Sequence, residues 1–161
     1  MNTLDLYNEI QIAKDAAKAA GKFLQENKKE LNKSIYSSDT DIKLKADIEA
    51  ENLIKSILSS RSIFPILAEE SGKSENNLEE TFWVVDPLDG TANYTRDIPL
   101  CCVSIALIHK MQPVLGVIYD FNNNNLYEGL LDEEAKLNGS VIKVSEVKTA
   151  KEGIRVTGLP N

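Results

Sequence analysis

The sequence predicts an α+β fold, a layered α/β arrangement in which two N-terminal helices pack on a largely antiparallel sheet. Three observations carry this prediction. Apolar residues recur at helical spacing over 6–24 and again over 46–58. Short apolar runs at 101–108, 114–119, 126–131 and 141–144 follow one another with turn-sized spacers, as in an antiparallel meander. The 161 residues are 42% hydrophobic and 27% charged, the balance of an ordinary globular chain able to bury a core without staples.

The first helix is read from Leu6, Ile10, Ala13, Ala17, Ala20 and Leu24, with Thr3 as its N-cap and Lys28 and Lys29 at its negative C-terminal end. Its narrow alanine stripe predicts close packing on a neighbour. Polar residues 32–41 break the pattern, and Ala46, Ala50, Leu53, Ile54, Ile57 and Leu58 resume it as a second helix with Asp47 in or just before its first turn. Beyond Arg61 the period changes. Residues 63–68, punctuated by Pro65, read as a strand ending in Glu69-Glu70, and 71–80 as a loop. Residues 81–85, β-branched and aromatic, read as a strand that stops at Asp86-Pro87. The meander follows, with turns at 110–113, 122–125 and Asn138-Gly139; one further strand-like piece lies at 154–157.

Composition excludes several functions. With 25 acidic against 18 basic residues the formal charge is −7, so phosphate backbones and anionic lipid repel the surface. Neither nucleic acid nor a membrane is expected as a partner, and a phosphorylated substrate would need cations to seat it. No run approaches a bilayer span and residues 1–6 lack a signal-peptide pattern, which predicts a cytoplasmic protein. Cys101 and Cys102 are adjacent and lack zinc-ligand spacing, so they read as buried strand thiols. His109, placed in a turn beside Lys110, has no partner near in sequence, against a Ser-His or Cys-His nucleophile.

Three carboxylates fall at strand ends or in the turn beyond: Glu69, Asp86 and Asp89. Together they offer hard oxygen ligands of the kind Mg²⁺ prefers, and the Leu88 carbonyl would extend the set. Pro87 fixes the turn, Gly90 has no side chain to block a ligand, and Thr91 offers a hydroxyl and an N–H as an anion seat if a short helix begins there. Asp-Pro-Leu-Asp-Gly is equally a good turn sequence, Glu69-Glu70 a solvated strand end, and Asp47 a residue suited to a helix N-terminus. Spacing alone leaves both readings open.

The stretch 83–94, WVVDPLDGTANY, preceded by AEES at 68–71, resembles the inositol monophosphatase family of Mg²⁺-dependent, lithium-sensitive sugar-phosphate phosphatases. The likeness continues through Pro99 and Val103-Ser104-Ile105, and more weakly back to Ala46-Asp47 and forward to Asn138-Gly139. It implies a sugar-phosphatase-like fold, and Mg²⁺ held by Glu69, Asp86, the Leu88 carbonyl and Asp89. Leu88, Asp89, Gly90 and Thr91 would meet the substrate, while Asp47 and Thr91 would pair to orient a metal-activated water. The implied reaction is hydrolysis of a small phosphorylated metabolite, an inositol or sugar phosphate, by a homodimer. A 3′(2′),5′-bisphosphate nucleotidase is the alternative, against which Ala92-Asn93-Tyr94 stands where those relatives carry Lys-Glu-Phe-like residues.

The resemblance covers the family's N-terminal part. It divides the chain into a metal-binding phosphatase domain at 1–152 and, at 153–161, the start of a C-terminal portion whose W-D-x-A-A-G-type motif supplies a further Asp. A non-catalytic split domain that needs a partner chain is therefore the other reading. A glycosidase using two of these carboxylates would need no metal. Two positions depart from the family: Lys45, placed to neutralise or obstruct Asp47, and Asp97, where many relatives have Gly.

Overall fold

A computed structural model of the chain describes residues 5–31, 34–37, 42–73 and 80–153. Thr3, the strand-like piece at 154–157 and most of the proposed C-terminal portion lie outside the described residues.

Helix α1 spans Leu6–Glu26 and is capped by Asp5, whose carboxylate accepts from the Asn8 N–H at 3.1 Å. Ala13, Ala16, Ala17, Ala20, Gly21 and Leu24 form its buried stripe. A methyl at Gly21 would lie 2.7 Å from the Tyr119 ring, so the absent side chain sets how closely helix and sheet approach. Lys28 and Lys29 do not close this helix as expected. They open a separate turn, α2 (Lys28–Leu31), and Lys28 pairs with Asp97 at 2.6 Å while lying 4.8 Å above the Tyr94 ring.

Strand β1 (Ser34–Ser37) lies in the polar stretch that breaks the helical pattern, and it pairs antiparallel with β2 (Ile42–Leu44) just beyond it. Helix α3 then runs Lys45–Arg61 with Asp47 in its first turn, as predicted. Strand β3 (Ile66–Ala68) starts only after Pro65, which cannot donate to a ladder, and β4 (Gly72–Lys73) pairs back onto it within the expected loop.

Strand β5 (Thr81–Asp89) leads through a short helix, α4 (Thr91–Thr95), to β6 (Cys102–His109), β7 (Gln112–Asp120) and β8 (Asn125–Leu130). Two short strands follow, β9 (Lys136–Leu137) and β10 (Ser140–Val141); the strand expected over 141–144 is reduced to its first residue. The main sheet has the order β10-β9-β8-β7-β6-β5-β3-β4, antiparallel throughout except where β3 meets β5. The predicted meander is therefore its body. Its turns at Lys110-Met111 and Asn138-Gly139 all have positive φ, the geometry that matches the right-handed strand twist.

Helices α1 and α3 cover one sheet face, burying Trp83, Val85, Val103, Ile105, Leu107 and Val117. The pleat sends Val84, Ala106, Gly116, Ile118 and Tyr127 to the other side, where Ile118 is 45% exposed. Among the described residues no helix is long and apolar enough to cross a membrane. Asp97 has a φ of 58°, a backbone conformation that favours glycine.

Glu9 is 7% exposed on α1 and one of its oxygens has no hydrogen-bond partner. Burial pushes its carboxyl above the usual range, partly offset by the Ser62 hydroxyl. Because the folded state then holds a proton that the unfolded chain releases, stability falls as pH rises from the ordinary Glu range through the raised folded value. We expect Glu9→Gln to melt about 2–4 °C above wild type at pH 8, with the gap closing near pH 4. Thermal melts at the two pH values check this, and a variant less stable at pH 8 would contradict it.

Candidate functional site

The parallel register of β3 and β5 builds the site. Ala68 pairs with Val85, and the Glu69 N–H donates to the Val85 carbonyl at 3.1 Å, so the next side chains along, Glu69 and Asp86, meet. Their carboxyl groups lie close enough for each to perturb the other's titration. Asp86 faces Ser104 and Asp89 faces Cys102 across β6, leaving one extra residue on β5. This bulge accommodates Pro87, which has no N–H to offer a ladder, and it carries the strand past the stop expected at Asp86-Pro87. The Leu88 N–H turns back to donate to Asp86 Oδ1 at 3.1 Å.

Gly90 ends the bulge with a φ of 87° and serves as the N-cap of α4; its carbonyl accepts from the Asn93 and Tyr94 N–H groups, each at 2.9 Å. The short helix on which the Thr91 anion seat depended is thus present. The stronger reason for glycine at 90 is steric, since an added Cβ would lie 2.6 Å from the Leu100 carbonyl oxygen. Thr91 Oγ1 lies 2.9 Å from Asp47 Oδ1 and 3.0 Å from the Leu88 carbonyl. One hydroxyl proton can serve only one of these acceptors at a time. Asp47 itself is 2% exposed, so α3 delivers a buried carboxylate directly behind the bulge. Lys45 pairs with Glu49 at 3.0 Å on the exposed side of α3.

The electrostatics are those of crowded like charges. Burial first, then the hydrogen bond and charge of Asp86, push Glu69 up to about 7; the charges of Glu70 and Asp89 add to it. Burial also raises Asp86, with Asp89 and Asp47 contributing, while the Glu69 and Leu88 hydrogen bonds oppose the shift. Carboxylates and a carbonyl are hard donors suited to Mg²⁺ or Ca²⁺, and a divalent cation would relieve the repulsion recorded in these shifts. Among the described residues no three acidic, His or Cys side chains form a ready-made cage. Glu69 and Asp86 are neighbours across β3 and β5, whereas Asp89 Oδ2 stands 3.7 Å from the Cys102 sulfur.

Two neighbours escape a sequence reading. The Cys102 thiol, expected to be buried, is half-buried beside Asp89 and is pushed up to about 12 by burial and by that carboxylate. Glu51, one helical turn beyond Asp47, accepts from the Glu70 N–H. The four-residue spacing on α3 was the available signal for Glu51; the β5/β6 register that brings in Cys102 has none. His109 closes β6 rather than occupying a turn, and its Nδ1 lies 2.7 Å from the Thr81 hydroxyl across the ladder, away from the site. A cavity of about 210 Å³ between α1 and β8, lined by Tyr7, Lys14, Glu128 and Glu133 among others, is also remote; Lys14 pairs with Glu128 there and Tyr7 with Glu133.

Comparison with known proteins identifies the family and the fold. The chain is 34% identical over 142 residues to inositol monophosphatase 1 of Solanum lycopersicum, covering 84% of this chain and 51% of the relative. It is 32% identical to the fructose-1,6-bisphosphatase/inositol-1-monophosphatase of Aquifex aeolicus, covering 98% and 60%. The solved inositol monophosphatase from Anabaena superposes with a TM-score of 0.77 at 37% identity, over 89% of this chain and 52% of that one. The chain thus spans about half the length of the curated relatives it matches. A sequence model of the inositol monophosphatase family matches residues 5–160, and the chain belongs to that family.

Proposed function

We propose that residues 1–152 form the cation- and phosphate-binding domain of a Mg²⁺-dependent phosphomonoesterase acting on an inositol or sugar phosphate. The observation that carries this reading is the Thr91 hydroxyl, held between Asp47 and the Leu88 carbonyl at the strand end where Glu69 and Asp86 crowd together. Glu69, Asp86, the Leu88 carbonyl and Asp89 would hold Mg²⁺, which when bound polarises a phosphoryl oxygen and lowers the pKa of water. Asp47, by taking the Thr91 proton as a hydrogen bond, turns the hydroxyl lone pairs outward to accept from an attacking water. Gly90 and Thr91, at the start of α4, offer backbone N–H groups to the phosphate without a side chain at 90 in the way. No histidine is required.

A second reading, a non-catalytic half that works only with a partner chain, is favoured by the open sheet face at Ile118 and Tyr127. Phosphate release from inositol 1-phosphate, fructose 1,6-bisphosphate and adenosine 3′,5′-bisphosphate, each with Mg²⁺ and with EDTA, separates the possibilities. We expect Mg²⁺-dependent release from the first two. Preference for the nucleotide would identify a bisphosphate nucleotidase. Folded protein with no turnover at any Mg²⁺ concentration would support the partner-dependent reading, and turnover surviving EDTA would overturn the metal mechanism.

A further inference from the structure

Helix α3 reaches the site three times from one face, since residues four apart on a helix lie above one another. Asp47 meets Thr91 beyond β5. Glu51, only 2% exposed, accepts from the Glu70 N–H through Oε2 at 2.8 Å. Lys55 donates to the Ser71 hydroxyl at 2.9 Å and lies 3.7 Å from Glu51 Oε1. The second and third contacts both grip the three-residue turn after β3, Glu69-Glu70-Ser71, which presents the Glu69 carboxyl to Asp86. On its N-terminal side this turn is tied to β5 by the Glu69 N–H to Val85 carbonyl bond.

We infer that Glu51, steadied by Lys55, is a positioning residue that fixes the Glu69 carboxylate against Asp86. The physical argument is one of constraint. Glu69 is followed by a turn whose backbone would otherwise be free to rotate its side chain away from a like charge that repels it. An acceptor buried under the Glu70 N–H removes that freedom, and a hydrogen bond to a buried carboxylate is among the stronger single restraints. Glu51 touches neither substrate nor cation, so its effect passes entirely through the turn.

The test uses Glu51→Gln, Glu51→Leu and Lys55→Met in the full chain, with two measurements. The first is amide hydrogen exchange at Glu70, which does not depend on the proposed phosphatase reading. The second is Mg²⁺ affinity by calorimetry, which rests on it. Glu51→Leu leaves the Glu70 N–H without its acceptor, and its exchange should rise at least about tenfold while the β6 and β7 amides hold their protection. Mg²⁺ affinity should weaken by about tenfold or more. Glu51→Gln keeps an oxygen in place and should restore most of both. Lys55→Met, which alters the exposed end of the same grip and is the less disruptive change, should show both effects in smaller degree.

Unchanged exchange at Glu70 in folded Glu51→Leu would overturn the inference, as would equal losses in the Gln and Leu variants. If Glu51→Leu does not fold, unchanged exchange at Glu70 in Lys55→Met would do the same. Wild type that binds no Mg²⁺ while the exchange results hold would instead reject the phosphatase reading and leave the grip on the turn established.

Discussion

Asp86→Asn is expected to lower Mg²⁺-dependent phosphate release by about 10³-fold or more in kcat/KM, equivalent to roughly 4 kcal/mol of transition-state stabilisation. The substitution keeps the shape of the side chain and removes its charge, so a loss of this size would measure electrostatics rather than packing. A second readout needs no turnover. Glu69 is held near 7 first by burial and then by the hydrogen bond and charge of Asp86. With Asn at 86 the last two causes weaken, and the Glu69 carboxyl should titrate closer to the ordinary Glu range in a carbon-detected NMR experiment. The sign for stability follows from linkage. In the metal-free protein the raised folded value makes stability fall as pH climbs from the ordinary Glu range to about 7, and the variant should show a shallower fall. Retained turnover, or a Glu69 titration that does not move, would contradict the assignment.

The second large effect concerns backbone rather than charge. Gly90→Ala is expected to cost more than about 2 kcal/mol and to lower Tm by at least about 4–8 °C, because two penalties coincide. The residue sits at a φ of 87°, which side chains rarely adopt, and its new methyl would press on the Leu100 carbonyl oxygen at 2.6 Å and on Cys101 Cα at 3.2 Å. Carbonyl and Cα are backbone atoms, so relief requires shifting the segment that leads into β6. Gly129→Ala is the control. It lies in β8 with nothing within 4 Å of the added atom, and strand glycine is a weak choice to begin with, so this variant should match or slightly exceed wild type. Comparable losses in both variants would show that the close approach at Leu100 is not what demands glycine.

Much of this architecture is readable from residue order because periodicity reports burial directly. The alanine stripe of α1, the helix at Ala46, Ala50 and Leu58, and the alternating runs of β6 and β7 all state which face meets the core. The ladder of β1 and β2 is different. Its strands, SIYS and IKL, are too short for a period-2 pattern to stand out from the polar residues around them. The continuation of β5 past Asp86 is hidden for a related reason, since a bulge is a mismatch between two strands and no single strand encodes it. At the site, Glu69, Asp86 and Asp89 stand out as carboxylates at strand ends, and the Asp47–Thr91 pairing is available only through family resemblance until the fold brings α3 beneath α4. Glu51 carries no motif at all. Its partner is a backbone N–H, and which helix turn faces which amide is a property of the packed fold.

The packing of α1 has a consequence for synthesis. Gln25, near its end, donates to the Phe121 carbonyl at 2.6 Å, and the two residues are 96 positions apart. At about 5–20 residues per second a ribosome needs roughly 5–20 s to cover that interval. During it α3 is the first partner made for the nascent helix, and the part of its stripe that rests on β7 waits until the end.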